Sequence, residues 1–208
     1  ESGRETALYR GLNALAAPAR DATVTLVPRS RLIVTVPLQG REGNYSDTLD
    51  VHLREIGSTK DISDTDYTNA NTIDSVVVGD SVRVVSDKFG TFRLEQIPTG
   101  AFELTVKAPG YVTGRSDTLN LFNGLTQAIQ PTFGSDLNGD LSPGGALAFL
   151  LGGDATGDNQ VDIADGNLMF AHWNRTPADS SLYIRDADVN NDGVINGLDL
   201  GFATTNFN

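Results

Sequence analysis

The chain has 208 residues, room for one or two domains. Its formal net charge of −12 disfavours nucleic acid and anionic membrane surfaces and favours cations as partners. Cysteine is absent, which excludes disulfides and thiol chemistry, and no apolar run reaches the length of a membrane span.

With 22 glycines and 39% hydrophobic residues, the composition is that of a turn-rich globular chain. The chain begins at Glu1 without Met and shows no leader pattern, as expected of a mature or excised segment. In residues 1–30, Leu8, Leu12 and Leu15 recur at helical spacing up to Pro18, and Thr23–Val27 alternates like a strand up to Pro28. Two readings stand for this stretch. It is a linker or terminal strand of the next domain, or an arm that adds to a sheet edge of a neighbouring molecule.

Residues 31–133 read as β. Arg31–Val36, Leu49–Leu53, Ser75–Val78, Ser81–Val85, Thr91–Leu94 and Phe102–Val106 are short strand-like runs. Turn signals at Gln39-Gly40, Gly79-Asp80, Lys88–Gly90, Pro98–Gly100 and Pro109-Gly110 separate them. The pattern predicts an antiparallel sandwich of about seven strands, with Phe92, Leu94, Ile97, Phe102, Leu104 and Val106 in its core. The polar run Asp61–Asn71 reads as a solvated loop or a further cation site. The punctuation Gly90-x-Phe92, Pro98-x-Gly100 and Gly110-Tyr111 resembles the carboxypeptidase regulatory-like family. That resemblance implies a transthyretin-like sandwich serving as a non-catalytic extracellular spacer or adhesin part.

Residues 134–153 read as a linker. Asp136, Asn138 and Asp140 open like a cation loop, but the twelfth position is Leu147, which cannot ligate. The segment is an Asx-rich turn, or a third calcium site completed by a carboxylate from elsewhere.

Residues 154–208 say nearly the same thing twice. Asp154–Asp165 and Asp188–Asp199 each carry oxygen side chains at positions one, three and five and a carboxylate at position twelve, the spacing of a calcium loop. The expected ligands of the first loop are Asp154, Thr156, Asp158, the carbonyl of Gln160, and Asp165. Those of the second are Asp188, Asn190, Asp192, the carbonyl of Val194, and Asp199. Position eight is apolar in both copies, Val161 and Ile195, and in paired loops these residues can face each other. The first loop has the neutral Thr156 at position three and Asn159 where the second has Gly193, so it is expected to bind more weakly. The flanking segments also align, Leu168 with Phe202, Trp173 with Phe207 and Asn174 with Asn208.

A duplicated loop-helix unit closed by Asp is similar to the type I dockerin. The resemblance implies a small α module holding two calcium ions. In cellulosomal dockerins, Ser or Thr at positions ten and eleven contacts a cohesin. Here Ile163-Ala164 and Gly197-Leu198 stand there, so these groups are expected to pack against the sandwich or another protomer. A sandwich before such a module is similar to the pairing of an Ig-like module with a dockerin in cellulosome scaffolds.

No catalytic residue is expected. His52 and His172 read as surface or packing groups, and no nucleophile motif or phosphate loop occurs. Two sequons, at Asn44 and Asn174, are candidate glycosylation sites. The main expectation is an extracellular or cell-surface calcium-binding structural protein that assembles with itself into a fibre or array through residues 1–30. The alternative is a dockerin-type module tethering a secreted protein to a cohesin-like partner, and a third reading is a passive spacer.

Overall fold

The computed structural model describes residues 29–57, 75–78, 81–122, 124–129, 133–135 and 149–207. The candidate arm before Arg29, the acidic run Asp61–Asn71 and the half-loop at Asp136, Asn138 and Asp140 lie outside the described residues.

The sandwich is built from two sheets. The first has β1 (Arg29–Thr35) in the middle, with β5 (Thr91–Pro98) antiparallel on one side and β10 (Thr126–Ile129) parallel on the other. The second runs β11 (Phe133–Ser135), β8 (Gly114–Ser116), β6 (Gly100–Lys107), β2 (Thr48–Glu55), β4 (Ser81–Val85) and β3 (Ser75–Val78), with β9 (Leu119–Leu121) also on β6. Period-two alternation decides which side chains face inward. Leu32 and Val34 of β1, Leu49, Val51 and Leu53 of β2, and Val82 and Val84 of β4 are buried. So are Phe92, Leu94, Ile97, Phe102, Leu104 and Val106, the core expected from sequence. The step from Leu94 to Ile97 breaks the alternation. Opposite it, Ser30 pairs with Ile97 and Leu32 with Leu94, so β5 carries a one-residue bulge that keeps both side chains inside. Two features go beyond the expected antiparallel sandwich: the parallel pair β1–β10, and strands after Val106 of only two to four residues.

The C-terminal module has two helices, α1 (Ile163–Ala171) and α2 (Gly197–Thr205), joined through 3₁₀ turns at Pro177–Asp179 and Arg185–Ala187. Val161, Met169, Ala187, Val189, Ile195 and Ala203 form its interior. It does not hang from a free linker. Leu150 is buried and bridges to Leu38, and Val112 N–H donates to the Leu151 carbonyl at 2.8 Å. β12 (Gly152–Asp154) pairs antiparallel with β7 (Gly110–Tyr111) of the sandwich, setting Asp154 opposite Gly110. A Cβ at Gly153 would lie 2.7 Å from Ala203 Cα, so β12 and α2 approach as closely as backbones allow.

A buried polar knot closes the junction. Arg41 is 3% exposed, a rare burial for a guanidinium. It donates to the Tyr111 hydroxyl at 3.2 Å and the Ser46 carbonyl at 3.1 Å, and pairs with Asp47. Asp47 also accepts from Arg185 of the module at 2.6 Å. The Tyr111 hydroxyl lies 2.7 Å from the Val189 carbonyl and 2.9 Å from the Gln39 carbonyl, and burial pushes its pKa up to about 12. Asn206 Nδ2 donates to Gln39 Oε1 at 2.6 Å and to the Gly152 carbonyl at 2.7 Å.

Removing one member of a buried ion pair leaves the others unpaired in a dry site, at a cost of about 3–5 kcal/mol. Asp47 keeps Arg185, so Arg41→Met is expected at the lower end, about 3 kcal/mol. Trp173, the only tryptophan, reports on the module alone. Denaturant unfolding followed by its fluorescence and by far-ultraviolet circular dichroism is expected to coincide in the wild type and to separate in Arg41→Met.

Candidate metal centre

Each loop runs into its helix through a capping box. Asp162 is the N-cap of α1 and accepts from Ala164 N–H at 2.7 Å, and Asn196 is the N-cap of α2 and accepts from Leu198 N–H at 2.8 Å. The third helical residues, Asp165 and Asp199, accept from the N-cap amides at 2.7 and 2.8 Å. Loop position twelve is therefore also the helix N3 position. The spacings Asp162-x-x-Asp165 and Asn196-x-x-Asp199 are the sequence signal for that second role.

Asp154, Asp165, Asp188 and Asp199 are all fully buried. Asp165 accepts from Thr156 N–H at 2.9 Å and Thr156 Oγ1 at 3.1 Å, and Asp199 accepts from Asn190 N–H at 3.2 Å. Position twelve thus folds position three back over the loop in both copies. Asp154 accepts from Gly157 N–H at 2.8 Å and Asn159 N–H at 3.0 Å. Asp188 accepts from Asp192 N–H at 3.1 Å and Gly193 N–H at 3.0 Å. Asp158 and Asp192, at position five, are exposed at the loop tips, and each accepts from a backbone amide two residues on, at 2.9 Å. The Val194 carbonyl accepts from Asn196 Nδ2 at 3.0 Å, and Gln160 is exposed. Among the described residues no three acidic or histidine side chains converge into a cage, because the carboxylates are turned onto the loops' own amides.

Position six takes the left-handed conformation in both copies, with φ 70° at Asn159 and 88° at Gly193. Asn159 also uses its side chain: Oδ1 accepts from Thr113 N–H of the sandwich at 2.5 Å. Val161 and Ile195 are both fully buried, but Ile195 pairs its backbone with Arg175 and Asn174, at 3.1 and 2.8 Å.

The donor set of the second loop suits a hard dication. Three carboxylates and an amide oxygen lie in loop order, and Asp188 makes no salt bridge among the described residues. Burial raises the Asp199 pKa, two backbone amides partly offset this, and the charges of Asp188 and Asp192 raise it further. The first loop differs. Lys107 of β6 forms a salt bridge with Asp154. Burial raises the Asp154 pKa, and Lys107 pulls it down. Lys107, Tyr183 (whose hydroxyl donates to Asp188 at 2.6 Å) and Arg41 carry no local sequence signal, because all three act on distant segments or through folding.

Ile163 and Leu198, at loop positions ten and eleven, were expected to pack against the sandwich or another protomer. Both are about two-thirds exposed, so they do not pack against the sandwich, because capping turns the start of each helix outward. Asn44 and Asn174 are also exposed. His52 lies within β2 opposite Thr105, and His172 Nδ1 is 2.6 Å from the Leu182 carbonyl.

The family model of the dockerin type I domain matches residues 152–204. The C-terminal module is similar to a dockerin type I domain. Two solved structures cover nearly the whole chain. One is a C-terminal interface mutant of a type II cohesin–X-dockerin complex from Acetivibrio cellulolyticus, with 14% identity and a TM-score of 0.51 over 86% of this chain and 95% of that one. The other is an N-terminal interface mutant of the same kind of complex, with 14% identity and a TM-score of 0.50 over 87% and 96%. At that identity the likeness is one of fold: a β-sandwich with a dockerin after it. No curated protein matches the chain. No helix among the described residues is long and apolar enough to cross a membrane.

Two of the three acidic positions of loop two, Asp192 and Asp199, separate metal binding from folding. Asp192→Ala removes an exposed carboxylate, so it is expected to abolish most of the calcium-induced rise in melting temperature while moving the chelated protein little. Asp199→Ala also deletes a cap and orphans two amides. It is expected to destabilise the chelated protein by about 1–2 kcal/mol. Thermal melts with calcium and with chelator distinguish the two.

Proposed function

We propose that the chain is a non-enzymatic, calcium-stapled dockerin module, working outside the cell, that tethers its parent protein to a cohesin-like partner. The observation that carries this reading is the bare outer face of α1. Ile163, Ala164, Asn167, Phe170 and Ala171 follow helical spacing and are all exposed. Ile163 is 66% and Phe170 60% exposed, and Phe170 stacks on Trp173 with ring centroids 5.4 Å apart. An apolar helix face left open beside a stacked aromatic pair is the composition of an interface core. The dockerin match and the cohesin–dockerin complexes of like fold support a cohesin-like sheet as its occupant.

Calcium in the two loops neutralises buried carboxylates and holds each helix start in place. Asp154, Thr156, Asp158, the Gln160 carbonyl and Asp165 would hold one ion, and Asp188, Asn190, Asp192, the Val194 carbonyl and Asp199 the other. A site with a dissociation constant a hundredfold below ambient calcium stabilises the fold by about 2.7 kcal/mol. The fibre expected from sequence depends on residues 1–30, which begin outside the described residues, and the comparisons lend it no support. Tethering is the better supported reading.

Surface plasmon resonance against a panel of type I and type II cohesins tests it. The wild type is expected to bind at least one in calcium, and Ile163→Asp with Phe170→Asp to weaken that binding a hundredfold or more at unchanged melting temperature. Equal binding by the double variant would move the interface to the Leu198–Thr204 face of α2. Large species in sedimentation without any cohesin would return the fibre reading.

A further inference from the structure

The two copies treat their first carboxylate differently. Asp154 and Asp188 each accept two loop amides, and each gives Oδ2 to one further donor. For Asp188 that donor is the neutral hydroxyl of Tyr183, from within the module. For Asp154 it is the Lys107 ammonium, from the sandwich. Sheet register delivers it: Lys107 ends β6, a short turn leads to Gly110, and Gly110 is the pairing partner of Asp154. The Lys107 side chain is one-quarter exposed and Asp154 is fully buried, so the ammonium reaches a dry carboxylate from a wet edge. Half-buried Asp186 also feels the Lys107 charge.

We propose that Lys107 is the resident cation of the first loop. It supplies the positive charge that Asp154 needs when calcium is scarce, and it opposes calcium there when calcium is present. The inference rests on the calcium reading of the loops. A fixed ammonium on the position-one carboxylate repels a dication bound to the same loop, most strongly where water is excluded. It also lets the first loop keep its shape without metal, because the buried charge is already paired. The second loop has only a hydroxyl at the matching oxygen and depends on the ion. The two sites therefore differ in affinity because of a sandwich residue, beyond the effect of Thr156. Calcium entering the first loop competes with a sandwich–module contact, whereas calcium entering the second competes with none of this kind.

Calorimetric calcium titration of the chelator-stripped full chain tests this with Lys107→Gln and Lys107→Arg. The wild type is expected to show a tight and a weaker step. Lys107→Gln is expected to tighten the weaker step tenfold or more, about 1.4 kcal/mol, and Lys107→Arg to leave it within threefold. Adding Asp158→Ala to Lys107→Gln is expected to remove the tightened step, which assigns it to the first loop. If Lys107→Gln leaves both steps unchanged, or the tightened step survives Asp158→Ala, the proposal is overturned. Should chelated Lys107→Gln be too marginal for calorimetry, thermal melts decide: the calcium-induced rise must exceed that of the wild type, and an equal rise overturns the proposal. A wild type that takes up no calcium at all defeats the calcium reading itself, and the inference with it.

Discussion

Four fully buried carboxylates organise this module. Asp154, Asp165, Asp188 and Asp199 stand at the first and last positions of two twelve-residue loops and are screened from water. Leaving such groups ionised is costly unless each is paired and hydrogen-bonded. The loops answer first with backbone. Every one of the four accepts at least two N–H groups, which forces the chain to curl around it. That curl requires a left-handed residue at position six and delivers each helix with its N-terminus on a carboxylate, where the helix dipole favours negative charge. Amides supply partial charge only. The remaining demand for a full positive charge is what Lys107 meets in one loop and what a dication suits in the other.

A duplicated module of this size buries too little apolar surface to stand comfortably by itself. The sandwich supplies the missing wall. β12 extends the pairing of β7, Gly153 lets α2 come down onto it, and Arg41, Asp47, Tyr111 and Gln39 fill the polar part of the seam. Arg41 ties three segments, since its own loop with Asp47, β7 at Tyr111 and the module backbone at Val189 meet around one guanidinium and one phenol. An apolar core runs through the seam at Leu38, Leu150, Val112 and Val189, and the polar part beside it rests on complete pairing more than on area. A single missing partner leaves several groups unsatisfied together.

What could be read from the sequence follows the range of the interaction. The inward faces of the long strands were legible because alternation is local, and Phe92, Leu94, Phe102, Leu104 and Val106 lie inside as that pattern requires. The helices were legible because duplication repeats their signal. The strands after Val106 are too short for alternation to show, and their pairing is set by partners far along the chain. The linker before Asp154 looked free because the residues that hold it, Leu38 and Val112, lie 112 and 39 positions from Leu150 and Leu151. Asn159 shows the limit most clearly. Its tolerance of the left-handed conformation could be inferred from its type, but the reason for Asn over Gly there is a sandwich amide, Thr113 N–H, which only the fold brings near.

That same asymmetry decides which half of the duplication faces outward. Two equal repeats would present two equal helix faces. The sandwich removes the equivalence by seating itself against the second repeat: the Phe202 ring occupies the space a Cβ at Gly40 would need, Asn206 is bonded to Gln39, and β12 lies under Ala203. The first repeat touches the sandwich through its loop, at Asp154 and Asn159, and its helix packs on α2 and the Arg185–Ala187 turn. The apolar residues are distributed to match. The first repeat gathers Ile163 and the stacked Phe170–Trp173 pair, whereas on the second repeat Leu198 and Phe207 are exposed beside Thr204 and Thr205 with no stacked partner among the described residues. A partner that reads apolar surface would meet the first repeat, the same repeat whose loop is held by a sandwich lysine. The sandwich thereby fixes the loop under the bare helix by the Lys107–Asp154 ion pair, and braces the other repeat through its helix instead.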